Sequence, residues 1–312
     1  MKSTDSHAAR INALAARVNS IVRGKEYAVR LAVATLLARG HLLIEDVPGV
    51  GKTTLAFTLA RSIDCSFQRI QFTSDLMPSD IIGVSIFNPE QHEFEFRQGP
   101  VFANIVLADE INRTTPKTQS ALLEAMNEGR VSVERKTYEL PAPFMVIATQ
   151  NPLEYRGTFP LPESQLDRFA VHMKLGYPSL ADEKSAVIQQ HAFAEIEAMG
   201  HVLDASDVLH MQKEADNIAV DEAVLDYLMA IISATRTDER IRLGASTRGA
   251  QFLVRVARAM AYLSGRDYVT PDDVKTTAPA VLGHRILLKR QTSLDEADAL
   301  VADLAGRVRV PV

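Results

Sequence analysis

A single cysteine, Cys65, stands in a chain of 312 residues. It can form no intramolecular disulfide, and nothing ties the chain to an oxidising compartment. Its expected role is that of a small apolar filler, not a reactive thiol. No stretch approaches the roughly 18 uninterrupted apolar residues of a membrane span. The first ten residues are polar, unlike a secretory leader. A cytoplasmic location without membrane contact is therefore expected. Internal repeats and low-complexity tracts are missing too. Charge is nearly balanced, at −5 net with an isoelectric point near 5.9, which argues against wholesale coating of nucleic acid.

What remains is the composition of a globular protein, 46% hydrophobic and 23% charged, long enough for one large domain or two ordinary ones. Ile11, Leu14, Val18, Ile21 and Val22 recur at helical spacing and predict an amphipathic opening helix. A second helix follows Gly24 and is expected to end at Gly40, whose freedom suits a left-handed helix C-terminus. Strands and helices then alternate. Leu42-Leu43-Ile44, Ile70-Gln71-Phe72, Ile105-Val106-Leu107, Met145-Val146-Ile147 and Val171-His172-Met173 read as strands, and 53–63 as a helix. Apolar strands of this kind are expected to be buried on both faces, in a parallel sheet covered by helices. Beyond Tyr177-Pro178 no convincing strand is found. Val224, Leu225, Leu228, Ile231 and Ile232 mark one helix, and Phe252, Leu253, Val256, Met260 and Leu263 another. Thr270-Pro271-Asp272-Asp273 has the hydroxyl, proline and acids of a helix start. The expectation is an α/β domain over 1–177 and a smaller α-helical domain over 178–312.

Glu45-Asp46-Val47-Pro48-Gly49-Val50-Gly51-Lys52-Thr53-Thr54 lies between a strand and a helix, where a phosphate-binding loop must be. Glycines let backbone N–H groups turn around phosphates, and the helix N-terminus adds a favourable dipole. Lys52 would reach the β- and γ-phosphates of ATP, and the Thr53 hydroxyl would ligate Mg²⁺. Asp46 replaces the first glycine of the usual motif, at the edge of the loop. Ile105 to Leu107 lead through Ala108 to Asp109 and Glu110, so one apolar strand delivers two acids. After a P-loop this points to Asp109 in the Mg²⁺ shell and Glu110 orienting the attacking water. Asn151, after the 145–147 strand, is a candidate polar sensor for the γ-phosphate, although Asn-Pro alone is a routine turn. Arg168 and Arg248 are candidates to stabilise charge on the γ-phosphate, against the plain reading of solvated arginines.

The order of these motifs resembles the AAA+ superfamily and, within it, the MoxR family. Asp46-Val47-Pro48-Gly49-Val50-Gly51-Lys52-Thr53, Asp109-Glu110-Ile111-Asn112-Arg113, Thr149-Gln150-Asn151-Pro152 and Leu161-Pro162-Glu163-Ser164-Gln165-Leu166-Asp167-Arg168-Phe169 carry the resemblance. It implies a P-loop AAA+ core with a parallel sheet and an all-α lid. Asn151 is then similar to sensor 1, Arg168 to the arginine finger and Arg248 to sensor 2, while Val22 and Gly24 match the stretch lining the adenine pocket. Two hairpins are implied, one flanked by residues 85–89 and 93–96, the other over 131–140. The resemblance also implies a homo-oligomeric, commonly hexameric ring. It further implies a chaperone-like role in maturing or activating enzyme complexes, often with a von Willebrand factor A domain protein. GTP remains open as a substrate beside ATP. The alternative function is a nucleic-acid-associated motor or restriction-type NTPase, against which stand the negative charge and the lack of a basic extension.

Overall fold

The computed structural model describes residues 2–134, 136–152, 158–188, 193–290 and 294–311. Helices α1 (Lys2–Ile21) and α2 (Glu26–Leu37) precede strand β1 (Leu42–Glu45), and α3 (Lys52–Ser62) follows it. Then come β2 (Phe67–Gln71), α4 (Pro78–Ile82), the hairpin β3 (Gly83–Asn88) and β4 (Glu93–Gln98), and β5 (Ile105–Asp109). Helix α5 (Pro116–Glu128) leads to a second hairpin, β6 (Arg130–Val133) and β7 (Lys136–Glu139), of which Arg135 lies outside the described residues. Strand β8 (Met145–Gln150), the short α6 (Glu163–Leu166) and β9 (Val171–Met173) complete this part.

β2, β5, β8, β1 and β9 form one parallel sheet in that order. Side chains alternate along a strand, so each central strand feeds two cores. Leu42, Ile44, Ile105, Leu107, Met145 and Ile147 face the core containing α1, α2 and α3. Leu43, Val106, Ala108, Val146 and Ala148 face the other, with Leu122, Leu123 and Met126 of α5. Cys65 is buried in the first core, and burial pushes its thiol up to about 12, as a filler requires.

Two local expectations are corrected. β2 is not buried on both faces: within it Ile70 alone is buried, and Gln68, Arg69 and Gln71 are exposed along the sheet edge. The residue in the left-handed region after α2 is Arg39, at φ 51°, not Gly40. Gly40 answers to close packing instead, because a Cβ there would lie 2.3 Å from the Ala170 Cβ.

After β9 the chain forms α7 (Leu180–Ile188), α8 (Phe193–Ala198), α9 (Ala205–Asp216), α10 (Glu222–Thr237), β10 (Ile241–Leu243), α11 (Thr247–Leu263), α12 (Pro271–Leu282), β11 (Leu287–Leu288) and α13 (Leu294–Arg307). This region is helical as expected, with one small correction: β10 and β11 pair antiparallel. Strands of three and two residues are too short to leave a periodic signal. The predicted start of α12 is a capping box, in which Thr270 accepts from the Asp273 N–H and the Asp273 carboxylate accepts from the Thr270 N–H.

The helical region meets the sheet edge at His172 of β9. Its fully buried ring has Nε2 3.7 Å from Glu45 Oε2 and Nδ1 3.8 Å from Asp298 Oδ2 of α13. Burial, above all, raises the Asp298 carboxyl from 3.8 to about 6, against the opposing pull of His172. With the folded value above the unfolded one, this group's contribution to stability is present in full below 3.8 and lost as pH rises through 6. Asp298→Asn should therefore stabilise the protein at pH 8, by on the order of 1–3 kcal/mol, and do nothing at pH 3.5. Denaturant unfolding at the two pH values checks this; equal stability of both proteins at pH 8 would contradict it.

Candidate functional site

The phosphate-loop sequence leaves the carboxyl end of β1, an inner strand, which is where open α/β sheets bind ligands. Gly49 and Gly51 take φ of 86° and 95°, and a Cβ on either would meet nothing within 4 Å. The loop is thus bent by left-handed backbone, with open space beside both glycines. Gly51 is the N-cap of α3 and no side chain caps that helix. Its first N–H groups carry the positive end of the dipole and remain free to receive an anion.

Two cavities meet at this turn. One, of about 350 Å³, is lined by Pro48, Gly49, Gly51, Lys52, Thr53, Thr54, Arg69, Gln71, Asp109 and Glu110. The other, of about 260 Å³, is lined by Ile21, Val22, Arg23, Lys25, Gly49, Val50, Gly51, Thr54, Pro178 and Asp182. The first is polar and holds both charges of a phosphate site; the second has an apolar wall from Ile21, Val22, Val50 and Pro178. They share Gly49, Gly51 and Thr54, so one elongated molecule could occupy both.

Lys52 Nζ donates to the Asp46 carbonyl at 2.7 Å. Burial lowers its pKa, while Asp109, Asp46 and Glu110 pull the other way. Asp109 is oriented through both oxygens: Oδ1 accepts from the Thr149 hydroxyl at 2.6 Å, and Oδ2 from Arg69 Nη2 at 2.6 Å. Glu110 follows with φ 59°. Left-handed backbone costs a residue with a Cβ roughly 1–2 kcal/mol, and here the Glu110 N–H is held by Thr149 Oγ1 at 2.9 Å. The Glu110 carboxylate accepts from Gln71 at 3.0 Å and Arg113 at 3.1 Å.

Asp46 does more than sit at the loop's edge. Its Oδ2 accepts from the N–H groups of Leu175 and Gly176, at 2.9 and 2.6 Å, and Oδ1 from Val47 at 2.8 Å. Where the usual motif has glycine, a buried carboxylate fastens the loop to the chain leaving β9.

The remaining candidates lie outside both cavity linings. Gly24 lies between Arg23 and Lys25 of the second cavity's lining, with φ of 66° and the Asp182 carboxylate 2.4 Å from where a Cβ would stand. Asn151 is buried directly after β8. Arg168 Nη1 donates to the Leu123 carbonyl of α5 at 2.6 Å. Arg248, in the first turn of α11, hydrogen-bonds Asn127 at the end of the same helix. The two arginines thus share α5.

Arg69, Gln71 and Thr149 were missed as site residues. For Arg69 and Gln71 the signal lay in 67–71, a strand with three polar residues, once β2 is known to pair with β5 in the register Gln71↔Asp109.

Residues 41–171 match the family described as "ATPase family associated with various cellular activities (AAA)", and 233–304 match the AAA lid domain. The chaperone MoxR1 of Mycobacterium tuberculosis is 42% identical over 89% of this chain and 76% of its own. The chain belongs to the MoxR family of AAA+ ATPases. YeaC of Bacillus subtilis is 48% identical over 95% of the chain and 93% of its own. A crystal structure of a candidate ATPase from Cytophaga hutchinsonii superposes with a TM-score of 0.89 at 37% identity, covering 100% of this chain and 98% of that one.

If Asp46 fastens the loop of this MoxR-family protein, installing the usual residue should harm it. Asp46→Gly leaves the Leu175 and Gly176 N–H groups without their acceptor and should cost about 1–3 kcal/mol of unfolding free energy. Nucleotide affinity should weaken with it. Unchanged stability and affinity in paired unfolding and binding titrations would refute the fastening role.

Proposed function

We propose that this protein is a Mg²⁺-dependent ATPase that cleaves ATP to ADP and phosphate within a cytoplasmic, ring-shaped homo-oligomer, commonly a hexamer, and so remodels or activates other protein complexes. The meeting of the two cavities at Gly49 and Gly51 carries the reading. In this reading the base would lie beside Val22 and the triphosphate over the uncapped N-terminus of α3, which the linings of the two cavities support.

The residues present suit Mg²⁺ and phosphate. Thr53 and Asp109 would hold the ion, which when bound supplies positive charge shared by phosphate oxygens. A carboxylate offers about four lone-pair sites, so the contacts of Asp109 with Thr149 and Arg69 leave it capacity for a cation. Lys52 neutralises the β- and γ-phosphates, released from the Asp46 carbonyl. Glu110, its carboxylate aimed by Gln71 and Arg113, orients a water and draws its proton. Asn151 hydrogen-bonds the γ-phosphate or that water.

Arg168 and Arg248 supply positive charge at the γ-phosphate beyond that of Lys52, and we assign them to a neighbouring copy's site. Their placement along α5, outside the cavity linings, supports this. The name of chaperone MoxR1 supports the remodelling role. A von Willebrand factor A domain protein and a client enzyme complex are the proposed partners.

Glu110→Gln tests the reading. Gln keeps the shape and a hydrogen bond but is no base, so ATP binding should persist while turnover falls by about 10² or more. The variant should accumulate as an ATP-dependent ring that retains its partner on affinity purification. A variant hydrolysing at the wild-type rate would sink the proposal. Co-purifying DNA with DNA-stimulated turnover of the wild type would replace remodelling with the motor function.

A further inference from the structure

Arg285 lies in the 3-10 turn that follows α12, far along the chain from the motifs, and its side chain is 1% exposed. A guanidinium has five N–H donors, and here all are used. Nε donates to Asp167 Oδ1 at 3.0 Å, Nη2 to the carbonyls of Asp167 and Phe169, and Nη1 to those of Ala170 and Val281. Nη1 also lies 2.8 Å from His284 Nε2, and four of these six contacts go to 167–170, the segment between α6 and β9 that carries Arg168. The neighbouring His284 adds Nε2 at 3.0 Å from the Phe169 carbonyl.

The same guanidinium also touches the helix carrying Arg248. Its Cζ lies 4.9 Å from the Phe252 ring centroid, while Arg248 Cζ lies 5.9 Å from that ring. A Cβ on Gly249 would come within 3.0 Å of Arg285 Cδ, so the first turn of α11 rests on this side chain. Burial lowers the Arg285 pKa to about 10, against the attraction of Asp167. That still leaves it charged at neutral pH. A buried charge is retained at a desolvation cost where apolar packing would serve stability as well, and this one is spent on the backbone around Arg168, a half-buried arginine that reaches the Leu123 carbonyl.

We propose that Arg285 is a positioning residue for Arg168: it locks the 167–170 backbone to the lid, so that the lid's placement sets where Arg168 is presented to a neighbouring copy. The inference rests on reading Arg168 as the group that one copy offers to another's γ-phosphate. A finger displaced by about 1 Å can lose about 10²-fold in rate without loss of substrate binding.

The experiment is a double-mutant cycle on the full chain, with kcat, KM and ATP affinity measured for Arg285→Met, Arg168→Ala and the pair. Arg285→Met should lower kcat about tenfold to 10²-fold, with KM and affinity within about twofold. The pair should be no slower than Arg168→Ala alone, because both act through one guanidinium. Mixing Arg285→Met with Lys52→Ala should restore turnover, since Lys52→Ala copies bring intact fingers to intact sites. A purely structural Arg285 would instead raise KM, multiply its loss with that of Arg168→Ala, or stay unrestored on mixing; any of these overturns the proposal. If Arg285→Met does not fold, the same cycle is read on Asp167→Asn, which keeps shape and removes the charge partner, with the same pattern expected at smaller amplitude. Full turnover by Arg168→Ala would show that the finger reading itself is wrong, and the proposal with it. A slow Arg168→Ala with independent Arg285 losses rejects the positioning role alone.

Discussion

A helix N-terminus without a cap is the constraint around which this protein is built. Free N–H groups must face a cavity to hold phosphate, yet such groups favour being paired by any nearby acceptor. The loop before α3 bends through two left-handed glycines, at each of which a Cβ would meet no other atom within 4 Å. Val50 packs the turn against the core, and the Asp46 carboxylate supplies a further anchor, binding backbone N–H groups beyond β9. Order is moved from the loop to its border, which leaves the loop's own donors for a ligand.

The acids beside the loop obey a related rule. Asp109 and Glu110 are adjacent, and two carboxylates in a half-buried cleft repel. Arg69 balances the first and Arg113 the second, while Thr149 joins them by donating to Asp109 and accepting from the Glu110 backbone. The left-handed backbone at Glu110 reverses the chain directly after Asp109, and each acid has its own set of partners. Strain of this kind persists only where neighbours over-determine it.

Much of this was legible in the chain itself because it is local. Apolar runs at 42–44, 105–107 and 145–147 end in polar residues, and burial of those strands with chemistry at their carboxyl ends follows from period and position. The start of α12 was readable from its cap residues, and both hairpins were implied by the family resemblance. Features that depend on pairing across the fold were not. The polar edge of β2 acquires meaning only when β5 lies beside it, and Gly40 only when Ala170 presses on it. The Arg285 contacts join positions more than 100 apart in sequence, with no periodicity to announce them. The β10–β11 pair is too short to be distinguished from loop.

The central claim is that the site is incomplete within one chain. Lys52, Thr53, Asp109 and Glu110 share a cavity, whereas Arg168 and Arg248 are held along α5 outside it. The most direct measurement is ATP turnover per subunit across a dilution series, with oligomeric state followed by light scattering on the same samples. The account predicts that turnover per subunit falls steeply as the assembly dissociates, while ATP affinity changes little. Undiminished turnover by monomers would contradict it.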